Sequence, residues 1–178
     1  SDVFEEGLAI LSRHKIKSYD SFYVSQNQSE NNYKSRKIVK ATIEANGKEI
    51  DFFSCHLGWW NDKEDPFKKQ VDTLLKHIDV NKLSFLMGDF NNNALLRNEG
   101  YDYIIAKGMI DTYIMAEEKD SGITVKGTID GWRECSEDKR LDLILSNKKI
   151  EVKDSKVIFN RENYIVSDHF GVEININL

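Results

Sequence analysis

The sequence contains very little cysteine, and this excludes two kinds of small-protein architecture. Among 178 residues there are two cysteines, Cys55 and Cys135, which lie far apart along the chain. Two thiols cannot form a disulfide framework, and their spacing matches no paired-cysteine metal site. We therefore expect an apolar core, rather than disulfides or structural zinc, to stabilise the fold.

Proline and long apolar runs are equally scarce. The chain has one proline, no low-complexity stretch and no internal repeat, so no linker divides it. It also lacks any run of about 18 apolar residues, so the sequence predicts no membrane-spanning helix. Because 40% of the residues are hydrophobic and 11% aromatic, the chain can bury one sizeable core. We expect a single domain over residues 1–178.

Basic residues are outnumbered by acidic ones, 25 to 30, which gives a net charge of -5 and a pI near 5.4. Binding to a nucleic-acid backbone depends largely on neutralising its phosphates with Lys and Arg. The charge balance therefore argues against nucleic acid as the partner, although a local basic patch stays compatible with the composition.

The chain does contain short apolar runs separated by turn residues. Asn46-Gly47 lies between the alternating segments 36–45 and 48–56, a pattern that predicts a hairpin with a primed turn. Helical spacing over 67–78 predicts a helix with Asp65 as its cap and Pro66 at its first position, and a weaker helical pattern covers 99–106. Further strands are predicted at 7–11, 22–24, 83–87, near 123, and at 140–145, 156–159 and 171–176. Strands outnumber helices, so we expect an α/β fold with mixed or antiparallel sheets and helices packed outside.

Polar groups with catalytic chemistry border several of these runs. Gly88-Asp89-Phe90-Asn91 closes the run 83–87, and His56 ends the second strand of the hairpin. Asp142 lies in the run 141–144, and Ser167-Asp168-His169 precedes the last strand. Because the sites of α/β sheets gather at strand ends, these groups predict one site.

Hydrolysis of a phosphate ester requires these residue types. It needs an attacking water, a group that takes the water's proton, and donors or positive charge around the phosphoryl oxygens. Asp89 and Asp168 are hard oxygen ligands or bases of the kind that Mg²⁺ prefers, and Asn91 can donate an amide hydrogen. Charged His56 and His169 can stabilise the transition state, and a nearby carboxylate such as that at position 142 favours a charged imidazole.

Each motif also has an ordinary structural interpretation. Asp and Asn are common turn residues, the segment 167–169 could be a helix cap or turn, and a lone histidine such as His56 is more often structural than catalytic. The order of the motifs, each beside a strand-like run, favours the catalytic interpretation.

Taken together, the motifs resemble the endonuclease/exonuclease/phosphatase superfamily, which is related to deoxyribonuclease I. Gly7-Leu-Ala-Ile-Leu-Ser-Arg13 is similar to the strand that follows the superfamily's metal-binding glutamate, and Ser54-Cys-His-Leu57 is similar to its histidine strand. The segments 88–91, 140–144 and 167–169 resemble its three remaining motifs. The resemblance implies a four-layer α/β sandwich of two mixed, mainly antiparallel sheets.

The resemblance also implies a role for each polar group. Asp89 would orient or deprotonate the attacking water, and Asn91 would hold a phosphoryl oxygen beside it. His56 and His169 would stabilise the developing negative charge, and Asp142 would pair with His169.

The implied metal ligands are Asp168 and Asp89, with Mg²⁺ as the ion and Mn²⁺ as an alternative. The superfamily also uses an early asparagine and a metal-binding glutamate, both upstream of the strand at 7–11. Glu5 and Glu6 lie too close to that strand to match the glutamate. We therefore expect an N-terminally truncated domain that lacks about its first third, and expect metal affinity and activity to suffer in this piece.

Two tryptophan-bearing segments lead to a substrate prediction. Leu57-Gly-Trp59-Trp60 follows the histidine strand, and Gly127-Thr-Ile-Asp130-Gly-Trp132 precedes the segment 140–144; both resemble the bacterial maltose 6'-phosphate phosphatase branch. A sugar offers an apolar face to an indole and hydroxyls to carboxylates. Trp59, Trp60, Asp130 and Trp132 are therefore predicted beside the sugar, while core or rim packing is the alternative for the two tryptophans after the histidine strand.

Three functions remain at this point. The leading one is a cytoplasmic, Mg²⁺-dependent phosphatase acting on a small sugar phosphate. The second is a phosphodiesterase of the same superfamily, such as a nuclease or a sphingomyelinase-like enzyme. The third is an inactive binding module. The oligomeric state does not follow from the motifs.

Overall fold

A computed structural model describes residues 7–29, 31–127, 137–160 and 166–178. These residues form nine strands and three helices. The strands are β1 (Lys15–Tyr23), β2 (Lys37–Ala45), β3 (Lys48–His56), β4 (Leu83–Asp89), β5 (Ile110–Asp111), β6 (Glu118–Lys119), β7 (Asp142–Ser146), β8 (Val152–Ile158) and β9 (Gly171–Ile176). The helices are α1 (Phe67–Leu75), α2 (Gly100–Ala106) and α3 (Thr112–Met115).

The strands assemble into two mixed sheets. The larger sheet has the order β1-β2-β3-β4-β7-β5, and the smaller has the order β6-β8-β9. The pairs β3–β4 and β6–β8 are parallel, and the other described pairs are antiparallel. This confirms the predicted α/β class with two mixed, mainly antiparallel sheets.

Two apolar clusters hold the layers together. The larger cluster joins one face of the large sheet, including Phe53 and Leu86, to Val71 of α1 and Ile104 of α2. The smaller cluster contains Phe85 and other residues of the large sheet together with partly buried residues of β9. The described residues therefore form helix, sheet and sheet layers, three of the four layers that the resemblance implies.

The hairpin between β2 and β3 has the predicted turn. Asn46 and Gly47 both have positive φ, 50° and 73°, as a primed two-residue turn requires. Ala45 pairs with Lys48 directly beside the turn, and β3 then runs to His56 at the opposite end of the sheet.

The helix predictions are confirmed in place but not in every boundary. Helix α1 is shorter than the predicted 67–78, and Pro66, not Asp65, occupies its N-cap position. The carboxylate of Asp65 is buried and accepts a hydrogen bond from the backbone N–H of Gln26 at 3.2 Å, so it holds a distant loop instead of capping the helix. Helix α2 agrees with its prediction within one residue, and none of the described helices is long and apolar enough to cross a membrane.

The predicted strand at 7–11 is wrong. The segment is irregular, its Leu11 is 94% exposed, and the first strand begins at Lys15. A strand needs a ladder partner and an apolar surface to cover, and within the described residues nothing pairs with 7–11. Near residue 123 the described residues contain an isolated bridge, between Val125 and Lys139. The remaining strand predictions are confirmed with shifted ends by β1, which covers 22–23 and begins earlier, and by β4, β7, β8 and β9.

Gly88 allows β3 and β4 to approach closely. Its φ is +131°, and a Cβ atom built on it would lie 2.1 Å from the backbone carbonyl oxygen of Cys55. We expect Gly88→Ala to lower the free energy of unfolding by about 3 kcal/mol or more, because a positive φ and a backbone clash act together. Urea denaturation followed by circular dichroism measures this change.

The matched control is Gly47→Ala, where φ is also positive (+73°) but nothing lies within 4 Å of the added Cβ. Backbone strain alone should cost about 1 kcal/mol there. Equal losses of stability in the two variants would contradict a close approach at Gly88.

Candidate active site

Three polar side chains lie side by side where three neighbouring interior strands of the large sheet end or begin. His56 ends β3, Asp89 ends β4 and Asp142 begins β7. In the strand register His56 pairs with Asp89, and Asp89 pairs with Asp142. His56 Nε2 lies 3.6 Å from Asp89 Oδ2. The sheet itself therefore brings together three residues that are 33 and 53 positions apart in the chain.

His169 joins this row from the segment that precedes β9. Its Nδ1 lies 2.9 Å from Asp142 Oδ2, which is hydrogen-bond distance between an imidazole N–H and a carboxylate. The backbone N–H of His169 also donates to the hydroxyl oxygen of Ser167 at 3.2 Å. The structure thus brings together the Asp142–His169 pair that the resemblance implies.

The negative charges around His169 favour its protonated form. Its pKa is raised to about 9, first by the hydrogen bond with Asp142, and further by the charges of Asp142, Asp89 and Asp168, against the opposing effect of burial. His169 is therefore an imidazolium at neutral pH and can donate to a negatively charged ligand.

The pKa of Asp89 is also raised, but mainly by burial. Burial penalises its charged form most, and the neighbouring charge of Asp142 adds to the effect. The backbone N–H of Asn91, which donates to Asp89 Oδ1 at 2.7 Å, and the two histidines partly offset both causes. A carboxylate whose proton affinity is increased in this way is suited to act as a general base.

The carboxylates of Asp89 and Asp142 also fit a hard divalent cation, whereas His169 in its protonated form is not a metal ligand. One ligand atom each from Asp89, Asp142 and His169 lies within 4.8 Å of the other two. Two carboxylates this close repel each other, and a cation with oxygen preference would relieve that repulsion. Asp168, the other predicted metal ligand, lies outside this group: it is exposed, and its Oδ1 accepts a hydrogen bond from the Ser167 hydroxyl at 3.0 Å. Its role as a ligand stays a prediction.

Asn91 connects the ends of two strands. Its side-chain amide donates to the carbonyl oxygen of Leu57 at 2.8 Å, in the loop that follows β3. Its φ is +49°, a left-handed conformation that Asn tolerates better than most residues. An amide has a second N–H, so the predicted contact with a phosphoryl oxygen is compatible with this bond.

The two described tryptophans have different surroundings. Trp59 is 41% exposed, with the guanidinium of Arg36 5.7 Å from its ring centroid. Trp60 is partly buried, and its ring centroid lies 6.2 Å from those of both Phe67 and Tyr103. Trp60 therefore has the packing environment that was the alternative prediction, whereas much of the Trp59 side chain stays exposed. The predicted sugar contacts Asp130 and Trp132 lie outside the described residues.

The sequence did not predict the role of several buried polar residues whose hydrogen bonds support the segments around the site. Arg140, just before β7, forms a bidentate salt bridge with Asp111, in which its two terminal nitrogens lie 2.7 and 2.8 Å from the two carboxylate oxygens. Gln70 accepts from the backbone N–H of Gly58 at 2.8 Å, and Asn92 donates to the carbonyl oxygen of Gly58 at 3.2 Å. A polar residue that interrupts an apolar pattern signals a buried bond, but no spacing rule identifies its distant partner.

Comparison with known proteins identifies the family and the fold. The model of the Endonuclease/Exonuclease/phosphatase family matches residues 5–169. The structure of an endonuclease/exonuclease/phosphatase family protein from Leptotrichia buccalis C-1013-b is 44% identical with a TM-score of 0.84, and the match covers 94% of this chain and 63% of that one. No curated protein matches the sequence.

More distant structures share the fold. A mannosyl-6-phosphatase from Bacteroides thetaiotaomicron VPI-5482 is 20% identical with a TM-score of 0.72, over 92% of this chain and 67% of its own. Beta toxin from Staphylococcus aureus is 16% identical with a TM-score of 0.55, over 79% of this chain and 57% of its own. This chain thus spans less than two thirds of the length of the Leptotrichia protein. The family match over most of the sequence shows that the chain belongs to the endonuclease/exonuclease/phosphatase family.

Proposed function

We propose that this chain carries most of the catalytic site of a Mg²⁺-dependent phosphatase that hydrolyses a sugar phosphate, with a maltose 6'-phosphate-like compound as the substrate. The family consists of phosphoesterases, and the observation that supports hydrolysis here is the row of His56, Asp89 and Asp142 with His169 bonded to its end. That row combines a base of raised proton affinity with a charged imidazole.

The geometry supports one division of labour. Asp89 takes the proton of the attacking water while the water oxygen bonds to phosphorus, and the backbone N–H of Asn91 keeps the carboxylate oriented. The ester P–O bond breaks, the sugar oxygen leaves and takes a proton from solvent, and Asp89 returns its proton to solvent. His169, charged and held through Nδ1 by Asp142, donates from its other nitrogen to a phosphoryl oxygen. His56 lies on the opposite side of Asp89 and donates to the same phosphate.

A bound divalent cation would add positive charge beside the phosphoryl oxygens, and Asp89 and Asp168 are the ligands we assign to it. Such ions are usually held by few carboxylates, while waters and substrate phosphate fill the other positions.

The substrate proposal depends on the exposed indole of Trp59, in the loop directly after β3. An indole face packs against a sugar ring, and the acidic balance of the chain does not favour a polyanionic nucleic acid. The mannosyl-6-phosphatase with the same fold is consistent with a sugar phosphate. We place the reaction in the cytoplasm, because sugar 6-phosphates arise inside cells.

Phosphate release tests this function. We expect the full gene product to release phosphate from maltose 6'-phosphate in the presence of Mg²⁺, to lose this activity with EDTA, and to leave bis(4-nitrophenyl) phosphate intact. The 178-residue chain is measured in parallel. Asp89→Asn should lower kcat by at least about a hundredfold, because it removes the general base.

The surface variant His14→Ala is the control and should retain the activity. His14 is exposed, and the next residue, Lys15, pairs with Glu44 beside the β2–β3 turn, at the end of the sheet opposite His56. Preferential cleavage of the diester would indicate a phosphodiesterase instead. Absence of any ester cleavage by the full gene product would indicate a binding module.

The charge of His169 can be tested without turnover. In metal-free buffer, Asp142→Asn should lower the pKa of His169 from about 9 towards 6.5, because the main cause of the increase is the Asp142 carboxylate. NMR titration of the imidazole signals measures the pKa. Because the folded-state pKa is raised, the pair stabilises the protein fully below about pH 6.5, and this contribution disappears as the pH rises through about 9. An unchanged pKa in the variant would remove Asp142 as the cause.

The two tryptophans provide a matched pair of substitutions. Trp59→Ala should raise KM for the sugar phosphate about tenfold with little change in thermal stability, since much of its side chain stays exposed. Trp60→Ala should instead cost about 2 kcal/mol of stability, since its ring packs on α1 and α2. Steady-state kinetics and thermal unfolding separate the two effects. If Trp59→Ala leaves KM unchanged, Trp59 does not contact the sugar.

A further inference from the structure

Thr124 contacts the backbone directly at Asp142. It is fully buried, in the segment between β6 and β7. Its side-chain oxygen accepts hydrogen bonds from two successive backbone N–H groups, those of Leu141 and Asp142, both at 3.1 Å. A hydroxyl oxygen has two lone pairs, so one threonine can satisfy both donors.

The backbone of Thr124 also bonds to the segment that carries His169, the hydrogen-bond partner of Asp142. Its carbonyl oxygen accepts from the backbone N–H of Phe170 at 2.7 Å, one residue after His169. Its own N–H donates to the carbonyl oxygen of Lys139 at 3.0 Å. One buried residue is therefore bonded to the chain beside both Asp142 and His169.

Thr124 compensates for the short length of β5, the strand that flanks β7 in the large sheet. At its first residue, Asp142, β7 pairs with β4 on one side. On the other side, β5 pairs only with Leu145 and Ser146, at the far end of β7. Buried backbone N–H groups without an acceptor are costly, and Thr124 provides the acceptor that a longer strand would have supplied.

We propose that Thr124 is a positioning residue that sets the 2.9 Å contact between Asp142 and His169. Its side chain fixes the backbone of the acid, and its main chain fixes the backbone beside the imidazole. Thr124 acts through these two residues and contacts no substrate. The catalytic consequence rests on the proposed function, whereas the geometric consequence does not.

Substitutions at position 124 separate the oxygen from the shape of the side chain. Thr124→Val keeps the shape but leaves both N–H groups without an acceptor, and Thr124→Ser keeps the oxygen. If the valine variant does not fold, Thr124→Cys provides a weaker acceptor in a similar volume. The matched control is Thr112→Val: Thr112 is equally buried, and its hydroxyl donates to the carbonyl oxygen of Ile144, in the middle of the same strand.

The first readout is the Nδ1–H proton resonance of His169 in metal-free protein at pH 6, where a bond to a carboxylate shifts the signal far downfield. We expect Thr124→Val to move this resonance upfield or abolish it, and Thr124→Cys to weaken it. Thr124→Ser and Thr112→Val should retain it, although Thr112→Val loses comparable thermal stability. Retention of the resonance in Thr124→Val, or in Thr124→Cys when the valine variant does not fold, would overturn the proposal.

The second readout is kinetic. Thr124→Val should lower kcat for the sugar phosphate about 10- to 100-fold, because the imidazole is misplaced, and should leave KM within about twofold. Thr124→Ser should restore kcat. If the wild-type protein cleaves no ester while the NMR signals still distinguish Thr124→Val from its controls, the positioning role holds and the proposed function fails.

Discussion

The site depends on the register of three adjacent strands, β3, β4 and β7. Pairing of His56 with Asp89 and of Asp89 with Asp142 places the three polar groups in a row, without a loop having to fold over them. Within this register Gly88 pairs with Cys55, and the absence of a side chain allows the two backbones to lie close together. Side chains held by a sheet are positioned more rigidly than side chains on loops, which is what pre-organised electrostatic catalysis needs.

Crowding of negative charge is the other organising feature. The charge of Asp142 disfavours the ionisation of Asp89, and a charged His169 compensates from one side. The Asp142 charge adds to the larger effect of burial on the pKa of Asp89, and it also prepares the site for a cation.

Much of this was predictable from the sequence. Asn46-Gly47 predicted the hairpin, and the apolar run 83–87 placed Asp89 at a strand end, because turn chemistry and burial act locally. The strand prediction for segment 7–11 was wrong, because an apolar run forms a strand only when a neighbouring strand pairs with it. Thr124 was missed for a related reason: a single threonine has no pattern, and its importance arises from residues about 17 and 46 positions away that only the tertiary fold brings near.

Hydrogen bonds to neutral groups hold the first two residues of the loop after β3, which carries Trp59, and one of them joins the backbone N–H of Leu57 to the carbonyl oxygen of Asp89 at 2.9 Å. Leu57 and Gly58 bond to Asn91, Asn92 and Gln70, and none of these three side chains can gain or lose a proton near neutral pH. Because the pKa of His169 is raised to about 9, its imidazole keeps its charge through the neutral range and loses it only as the pH rises through about 9. That loss removes a positive charge beside Asp142 but changes none of these hydrogen bonds, so an alkaline shift should affect the proposed chemical step before it affects the loop that carries Trp59.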